Sequence, residues 1–201
     1  MLDGWARRLI DPPLDRAARS LAAAGISANA ITLAACAVGL AAAAAISQHW
    51  YLAGLVLMLL SRIGDGLDGA VAKIAGKTDL GGYLDIVLDF LFYGAVPIGF
   101  VLADPAANAV AGAVLVFSFY VNGASFLAFA AIAARRTMAS DARGQKSLFF
   151  STGLAEATET IAAFAAFCLL PQWFAELACA FAALTLYTAL SRIVLAVRTF
   201  G

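Results

Sequence analysis

The sequence DGLDGAVAKIAGKTDLGGYLDIVLDF, residues 65–90, carries the strongest indication of both architecture and chemistry. It places Asp65, Asp68, Asp85 and Asp89 inside or beside strongly apolar segments of a chain that is 63% hydrophobic. An ionised aspartate at the centre of a membrane helix costs roughly 2.5 to 3.5 kcal/mol on insertion scales, so four uncompensated ones would cost on the order of 10 kcal/mol. We therefore expect the folded chain to supply positive charge at this point or to bind it.

The composition of the whole chain is that of a membrane protein. Mean hydropathy is +0.90, and only 13% of the 201 residues are charged. Six apolar stretches are each long enough to cross a hydrocarbon core about 30 Å thick: 28–47, 50–72, 82–103, 108–134, 148–170 and 173–197. The sequence predicts an all-α integral membrane protein in which residues 28–201 form a six-helix transmembrane domain.

The basic residues indicate the orientation of these helices. In the six-span arrangement all 13 lysines and arginines fall on one side of the membrane, and the three loops on the other side contain none. Cytoplasmic loops retain positive charge. We therefore expect both termini and the aspartate-rich stretch on the cytoplasmic side of the inner membrane. The formal net charge of zero gives no support to nucleic-acid binding.

Residues 1–27 form a separate segment before the first span. Apolar and charged residues alternate there at near-helical spacing, interrupted by Pro12 and Pro13. This pattern predicts an amphipathic juxtamembrane helix on the cytoplasmic face with its arginines near anionic headgroups, and a simple topology signal is the alternative. The segment has no apolar core of the kind that a signal peptide requires. Ser27 or Asn29 is suited to cap the first span.

The spacing of the aspartates predicts a shared pocket. Asp65 and Asp68 are three residues apart and Asp85 and Asp89 four apart, so each pair lies on one helix face. The short connection 73–79 predicts antiparallel neighbouring helices, which would bring the four carboxylates together near the membrane boundary. Such a cluster of oxygen ligands suits Mg²⁺, Mn²⁺ or Ca²⁺, whereas Zn²⁺ prefers histidine or cysteine.

Glycines surround these carboxylates at positions Gly66, Gly69, Gly81 and Gly82. A glycine inside a helix costs about 1 kcal/mol relative to alanine. Their number indicates that backbone comes close to a bulky neighbour. That neighbour is either a ligand or a second helix packed through small residues.

The stretch also matches a known pattern. Its spacing is Asp65-x2-Asp68-Gly69-x2-Ala72-Lys73-x7-Gly81-x3-Asp85-x3-Asp89. This resembles the defining motif of the CDP-alcohol phosphatidyltransferases, D-x2-D-G-x2-A-R-x7 or 8-G-x3-D-x3-D. The phrase Asn29-Ala30-Ile31-Thr32-Leu33, the six spans and the amphipathic N-terminal segment also fit. Lysine stands at position 73 where the family usually has arginine, which keeps the charge but loses the bidentate fork.

The resemblance implies a function and a set of residue roles. A phosphatidyl group would pass from CDP-diacylglycerol to an alcohol hydroxyl, with release of CMP. Asp65, Asp68 and Asp85 would hold one or two Mg²⁺ or Mn²⁺ ions, and Asp89 would touch the metal site and act as general base. The residues implied to bind the CDP moiety are Gly66, Gly69, Ala72, Lys73, Gly81, Asn29 and Thr32. Family members are commonly homodimers, so a homodimer is expected.

A second polar zone follows the fourth span and is the candidate acceptor site. By the resemblance, Lys146 and Arg143 would bind a phosphate on the acceptor, although topology charge also explains them. Glu156 and Glu159 lie within the predicted fifth span, and intramembrane carboxylates mark functional sites. They would contact a polyol or an amine, or pair with Arg192. Glycerol phosphate, inositol or its phosphate, serine and a lipid alcohol all remain candidate acceptors.

Two other classes of protein compete with the enzyme. A cation- or proton-coupled transporter would use intramembrane carboxylates, but the aspartates lie near one membrane face and no inverted repeat with broken helices is evident. A membrane scaffold without catalysis would not need four converging carboxylates. The sequence favours the enzyme.

Overall fold

The structure is a computed structural model that describes residues 3–136 and 157–201, with side chains described from residue 13 onward. Within these ranges every regular element is helical. The helices are α1 (Asp3–Ala23), α2 (Ala28–Ser47), α3 (Tyr51–Ala75), α4 (Asp79–Ala103), α5 (Pro105–Arg135), α6 (Ala157–Leu169) and α7 (Phe174–Phe200), with a 3-10 turn at Pro171–Trp173 before α7. The predicted all-α architecture is confirmed.

Among the residues that the structure describes, four segments are long and apolar enough to cross a membrane: Ala28–Ser47, Asp79–Ala103, Pro105–Arg135 and Pro171–Phe200. Helix α3 follows its predicted range closely, but charged residues interrupt its apolar sequence. Helix α6 has 13 residues, and residues 148–156 of the predicted fifth span lie outside the described residues. The integral membrane fold is thus confirmed, whereas the count of six crossings stays a prediction.

Caps and glycines set the helix boundaries at the end of the bundle where the aspartates lie. The Ser27 hydroxyl accepts a hydrogen bond from the amide of Ala30 at 3.3 Å, so Ser27 caps α2. Thr78 caps α4 in the same way through the amide of Gly81 at 3.0 Å. Gly25 and Gly76 follow the C-terminal ends of α1 and α3, and their φ angles of 76° and 102° favour glycine.

Helix α1 is docked on the bundle through its C-terminal half. Ala18 is fully buried and forms a small apolar cluster with Ala70 and Val71 of α3. The helix runs through Pro12 and Pro13, where the sequence pattern predicted an interruption. A proline φ angle is compatible with a helix, and the cost is a missing amide donor and a local bend. That α1 lies on the cytoplasmic membrane surface stays a prediction.

Helix α2 lies between α3 and α4 and packs extensively against both. Helices α3 and α4 also meet directly, as the short connection between them predicted, through side chains such as Arg62 with Asp89 and Phe92, although each of the two helices packs more extensively against α2. Small residues of α2 make this arrangement fit. A methyl group at Gly39 would lie 2.6 Å from the Phe92 ring of α4 and 2.8 Å from the Ser61 hydroxyl of α3.

Buried aromatic rings fill the bundle away from the aspartates. Phe100 of α4 stacks on Phe174 of α7 with ring centroids 4.6 Å apart, and Phe167 of α6 meets the Phe174 ring edge-on at 5.2 Å. Within a membrane, lipid tails are as apolar as the core, so close packing rather than exclusion of water stabilises such contacts. These rings join α4, α6 and α7 into one support for the site.

Helices α5 and α7 are joined by a polar contact nearer the aspartate end. The Arg192 guanidinium donates from Nη1 to the carbonyl of Asn122 at 3.0 Å, to the side-chain oxygen of Asn122 at 2.9 Å and to the Ser125 hydroxyl at 2.8 Å. Charge-assisted hydrogen bonds of this kind are stronger than neutral ones. They hold the C-terminal helix in register with α5.

The contact between α2 and α4 gives a test of the fold. A methyl group at Gly99 would lie 2.6 Å from the carbonyl oxygen of Ala43, whereas one at Gly94 would meet no atom within 4 Å. We expect Gly99→Ala to lower the free energy of unfolding by about 1–3 kcal/mol because of overpacking. Gly94→Ala should be neutral or stabilising by up to about 1 kcal/mol. Thermal unfolding in detergent compares the two variants, and equal midpoints would contradict the α2–α4 packing.

Candidate active site

One large cavity opens at the end of the bundle where α2 begins and α3 ends. Its volume is about 1020 Å³, at the upper end of the usual range for ligand pockets of about 300–1,000 Å³. The walls come from the first turns of α2, α4 and α6, the C-terminal half of α3, and Leu14 of α1. The cavity is therefore large enough for a nucleotide-sized ligand.

Three carboxylates meet in this cavity. One oxygen from each of Asp65, Asp68 and Asp85 lies within 4.8 Å of the others. Asp68 is 5% exposed, Asp65 is half-buried and Asp85 is exposed. The Oδ2 atom of Asp68 is buried and has no hydrogen-bond partner among the described residues. An unsatisfied buried polar group costs about 1–3 kcal/mol, and more when charged.

These features fit a divalent metal ion. Carboxylate oxygens are the ligands that Mg²⁺ and Mn²⁺ prefer, and a cation would satisfy the lone buried oxygen of Asp68. It would also relieve the repulsion between three close negative charges. Asp65, Asp68 and Asp85 are thus the residues that could hold it.

Asp89, the fourth aspartate, lies outside this group of three. Its Oδ1 atom accepts a hydrogen bond from Nη1 of Arg62 at 2.6 Å. The same Arg62 nitrogen lies 3.7 Å from Oδ2 of Asp65. Asp89 is one turn beyond Asp85 on α4, and the nearby arginine engages it there. Its proposed contact with the metal stays a prediction.

The residues predicted to bind the CDP moiety all line the cavity: Asn29, Thr32, Gly66, Gly69, Ala72, Lys73 and Gly81. The glycines among them have two different structural effects. A methyl group at Gly69 would meet no atom within 4 Å, so this glycine keeps the cavity open. Methyl groups at Gly66 and Gly81 would lie 3.0 Å from Leu14 and from the Thr78 hydroxyl, respectively. Those two glycines allow close packing of the walls.

Positive charge also lines the cavity. Lys73 and Lys77 are exposed and lie at its rim. The capped first turns of α2 and α4 also line it, and a helix N-terminus carries partial positive charge that attracts anions. A metal-binding wall beside amides and lysines is an arrangement that can hold phosphate groups.

The acceptor residues predicted from sequence are only partly described. Lys146, Arg143 and Glu156 lie outside the described residues. Glu159 is half-buried in the first turns of α6, where its neighbour Thr158 and Ile161 line the cavity. The placement of α6 thus brings this end of the fifth predicted span to the site, while the roles of the four residues stay predictions.

Sequence reasoning missed Arg62, Lys77 and Leu14 as residues of this site. Arg62 is a single charge in the apolar run YLAGLVLMLLSRIG, three residues before Asp65. That position was a signal for a buried polar or charged partner, because a charge inside an apolar helix requires one. No comparable signal marks Leu14, whose contact depends on how α1 docks.

A family model matches residues 25–197 of the chain, and its description is CDP-alcohol phosphatidyltransferase. The chain belongs to this family. The resemblance seen in the aspartate motif is therefore confirmed over the full transmembrane region. The family is one of enzymes, and the match favours a transferase over a cation- or proton-coupled transporter.

Individual relatives agree with this assignment. The chain is 47% identical over 193 residues to the inner membrane protein YnjF of Escherichia coli (strain K12), covering 96% of this chain and 94% of that protein. It is 30% identical over 122 residues to the archaetidylinositol phosphate synthase of Pyrococcus horikoshii, covering 58% of this chain and 62% of that protein. The chain is accordingly a multi-pass membrane protein of phospholipid biosynthesis.

Solved structures share the fold. The phosphatidylinositol phosphate synthase PgsA1 of Mycobacterium tuberculosis with CDP-DAG bound superimposes with a TM-score of 0.67 at 20% identity, covering 90% of this chain and 91% of that chain. The same protein in complex with manganese and citrate gives a TM-score of 0.69 at 20% identity, covering 90% and 87%. At this identity the likeness establishes the fold.

The carboxylate group gives a test that needs no substrate. We expect Mn²⁺ to bind the purified protein and raise its unfolding temperature, because the ion binds the folded state. Asp68→Asn should weaken Mn²⁺ binding at least about tenfold, since it removes the buried ligand. Asp79→Asn is the matched control, because Asp79 is exposed and does not line the cavity. Titration followed by electron paramagnetic resonance measures the affinity, and equal affinities in the two variants would exclude Asp68 as a ligand.

Proposed function

We propose that this chain transfers the phosphatidyl group of CDP-diacylglycerol to the hydroxyl of an alcohol and releases CMP. The observation that carries the proposal is the convergence of Asp65, Asp68 and Asp85 in a nucleotide-sized cavity. Membership in the CDP-alcohol phosphatidyltransferase family supports it. So does the binding of CDP-DAG by the fold relative from Mycobacterium tuberculosis.

The metal site of this proposal consists of Asp65, Asp68 and Asp85, with Asp89 touching it. Mg²⁺ or Mn²⁺, as one ion or two, fits the oxygen ligands, and the manganese complex of the fold relative supports this choice. When bound, the cation would neutralise the pyrophosphate and the negative charge that develops on the leaving CMP. Asp65 and Asp68 present their carboxylates from α3, and Asp85 and Asp89 present theirs from α4.

The CDP moiety lies against the part of the cavity wall that is formed by α2, the end of α3 and the start of α4. Gly69 leaves room for it, and Gly66, Ala72, Gly81, Asn29 and Thr32 line the same space. Lys73 and the amides at the N-termini of α2 and α4 attract the phosphates. A lysine at this position acts as a point charge, without the two-pronged geometry of the arginine that the family usually has.

Asp89 is the general base in this proposal. The acceptor oxygen attacks the phosphorus that bears the lipid, and the bond from that phosphorus to the CMP oxygen breaks. The proton of the acceptor hydroxyl passes to the Asp89 carboxylate. This step needs the hydroxyl within hydrogen-bond reach of Asp89, so the acceptor approaches from the side of α4 that carries Asp85 and Asp89.

The acceptor enters beside α6 in this scheme. Thr158 and Ile161 line the cavity there, and Lys146, Arg143, Glu156 and Glu159 are the candidate acceptor residues along the chain. A relative is named archaetidylinositol phosphate synthase. Inositol phosphate is therefore the first acceptor to test, ahead of glycerol phosphate, inositol, serine and lipid alcohols.

Three further features belong to the same proposal. The proposed cytoplasmic location of the termini and the active site is supported by the distribution of the 13 basic residues in the six-span arrangement. Residues 1–27 form the juxtamembrane segment and residues 28–201 the six-helix catalytic domain. The homodimer rests on the family resemblance alone.

The reaction is tested by CMP release. Purified protein in lipid nanodiscs receives CDP-diacylglycerol, Mg²⁺ or Mn²⁺, and each acceptor in turn. We expect release that requires both metal and one acceptor class. Asp89→Asn should lower turnover by about 10²-fold or more, because general-base catalysis contributes that much, while CDP-diacylglycerol binding persists.

The matched control for this assay is Asp79→Asn, which removes an exposed carboxylate of the same helix. It should retain normal turnover. Normal turnover by Asp89→Asn would remove Asp89 as the base. If no acceptor gave CMP and CDP-diacylglycerol did not bind with metal present, the transferase proposal itself would fail.

A further inference from the structure

Arg62 has an environment that sets it apart from the other basic residues described. It lies on α3, three residues before Asp65, and its side chain is 9% exposed. The Nη1 atom bonds Oδ1 of Asp89 at 2.6 Å and lies 3.7 Å from Oδ2 of Asp65. Arg62 is outside the family motif but bridges two of its aspartates.

The guanidinium is fixed from several sides. Its central carbon lies 3.9 Å from the ring centroid of Phe92, a fully buried residue of α4. Its Nη2 atom donates to the Ser61 hydroxyl at 3.3 Å, and that hydroxyl donates to the carbonyl of Ala35 on α2 at 2.7 Å. A cation stacked on an aromatic face and bonded on its edge has little freedom to move.

Packing by α2 keeps this support in place. Gly39 has no side chain, and this allows both the Phe92 ring and the Ser61 hydroxyl to approach the α2 backbone. Helices α2, α3 and α4 therefore all contribute to the position of one arginine.

We infer that Arg62 is a positioning residue for Asp89. It holds Oδ1 of Asp89 and thereby keeps this carboxylate apart from the Asp65, Asp68 and Asp85 group, with Oδ2 left for the acceptor hydroxyl and for any contact with the metal site. This inference rests on the proposed role of Asp89 as the base. Arg62 acts through Asp89 and does not itself touch the reacting atoms.

The same geometry predicts an effect on metal binding. Arg62 places a positive charge 3.7 Å from a carboxylate oxygen of Asp65, one of the proposed metal ligands. The guanidinium attracts this oxygen and would repel a cation that the same oxygen binds. Removal of the Arg62 charge should therefore strengthen cation binding while it weakens catalysis. If Arg62 only stabilised the fold, its removal would weaken both cation binding and catalysis.

The test compares Arg62→Gln and Arg62→Lys with wild type in nanodiscs. Arg198→Gln is the control, because Arg198 is exposed at the end of α7. We expect Arg62→Gln to lower kcat about 10- to 100-fold, as the loss of an orienting partner does, with KM for CDP-diacylglycerol within about twofold of wild type. Mn²⁺ should bind Arg62→Gln severalfold more tightly. Arg62→Lys should recover part of kcat.

A second variant separates the effect of the aromatic support of Arg62 from the effect of its positive charge. Phe92→Leu keeps every charge but removes the aromatic face beneath Arg62. It should lower kcat with unchanged Mn²⁺ affinity, and unfolding temperatures of all variants show whether each one folds.

If the wild-type protein is active, either of two results would overturn the inference. One is a kcat within about twofold of wild type in Arg62→Gln. The other is a joint loss of kcat, Mn²⁺ affinity and unfolding temperature, which indicates a structural role. If wild type released no CMP with any acceptor, the proposed function would fail. Mn²⁺ titration of Arg62→Gln would still test the role of Arg62. Mn²⁺ binding that is unchanged or weaker than in wild type would contradict that role.

Discussion

Asp65, Asp68 and Asp85 bring three carboxylate oxygens to within 4.8 Å of one another at one end of an apolar helical bundle. The energetic cost of their mutual repulsion and partial burial must be offset, because charges among apolar helices are screened less than charges in water. The chain offsets part of it with Arg62, which contacts Asp89 and lies near Asp65. The remainder fits a divalent cation. The other features of the site follow from this requirement.

Helix α2 makes the arrangement sterically feasible. It carries small residues such as Gly39 where α3 and α4 approach, so that Phe92 and Ser61 meet on its surface. These two side chains in turn hold Arg62. The first turn of α2 also lines the cavity that holds the aspartates. Helix α2 therefore affects both the packing of the bundle and the charge distribution of the site.

Much of this could be predicted from the sequence because the signals are local. Helix periodicity and the i to i+3 and i to i+4 spacings placed the aspartates on two helix faces, and the apolar runs gave most helix bounds within a few residues. The motif spacing indicated the family. The predicted functional roles of individual residues nevertheless stay predictions.

The missed features depend on tertiary contacts. The position of α2 between α3 and α4, the contact of Leu14 with Gly66 and the pairing of Arg62 with Asp89 all join residues far apart in sequence. Hydrophobic periodicity shows which face of a helix is apolar but does not say which helix covers it. Arg62 was the exception, because an isolated charge in an apolar run requires a partner even when the partner is unknown.

The most direct test of the account is to locate bound metal in a crystal of the protein grown with Mn²⁺, by anomalous diffraction at the manganese edge. The account predicts a peak within coordination distance of Asp65, Asp68 and Asp85, with Asp89 still bonded to Arg62 through one oxygen. The absence of manganese from these three carboxylates, with ions bound elsewhere, would contradict it.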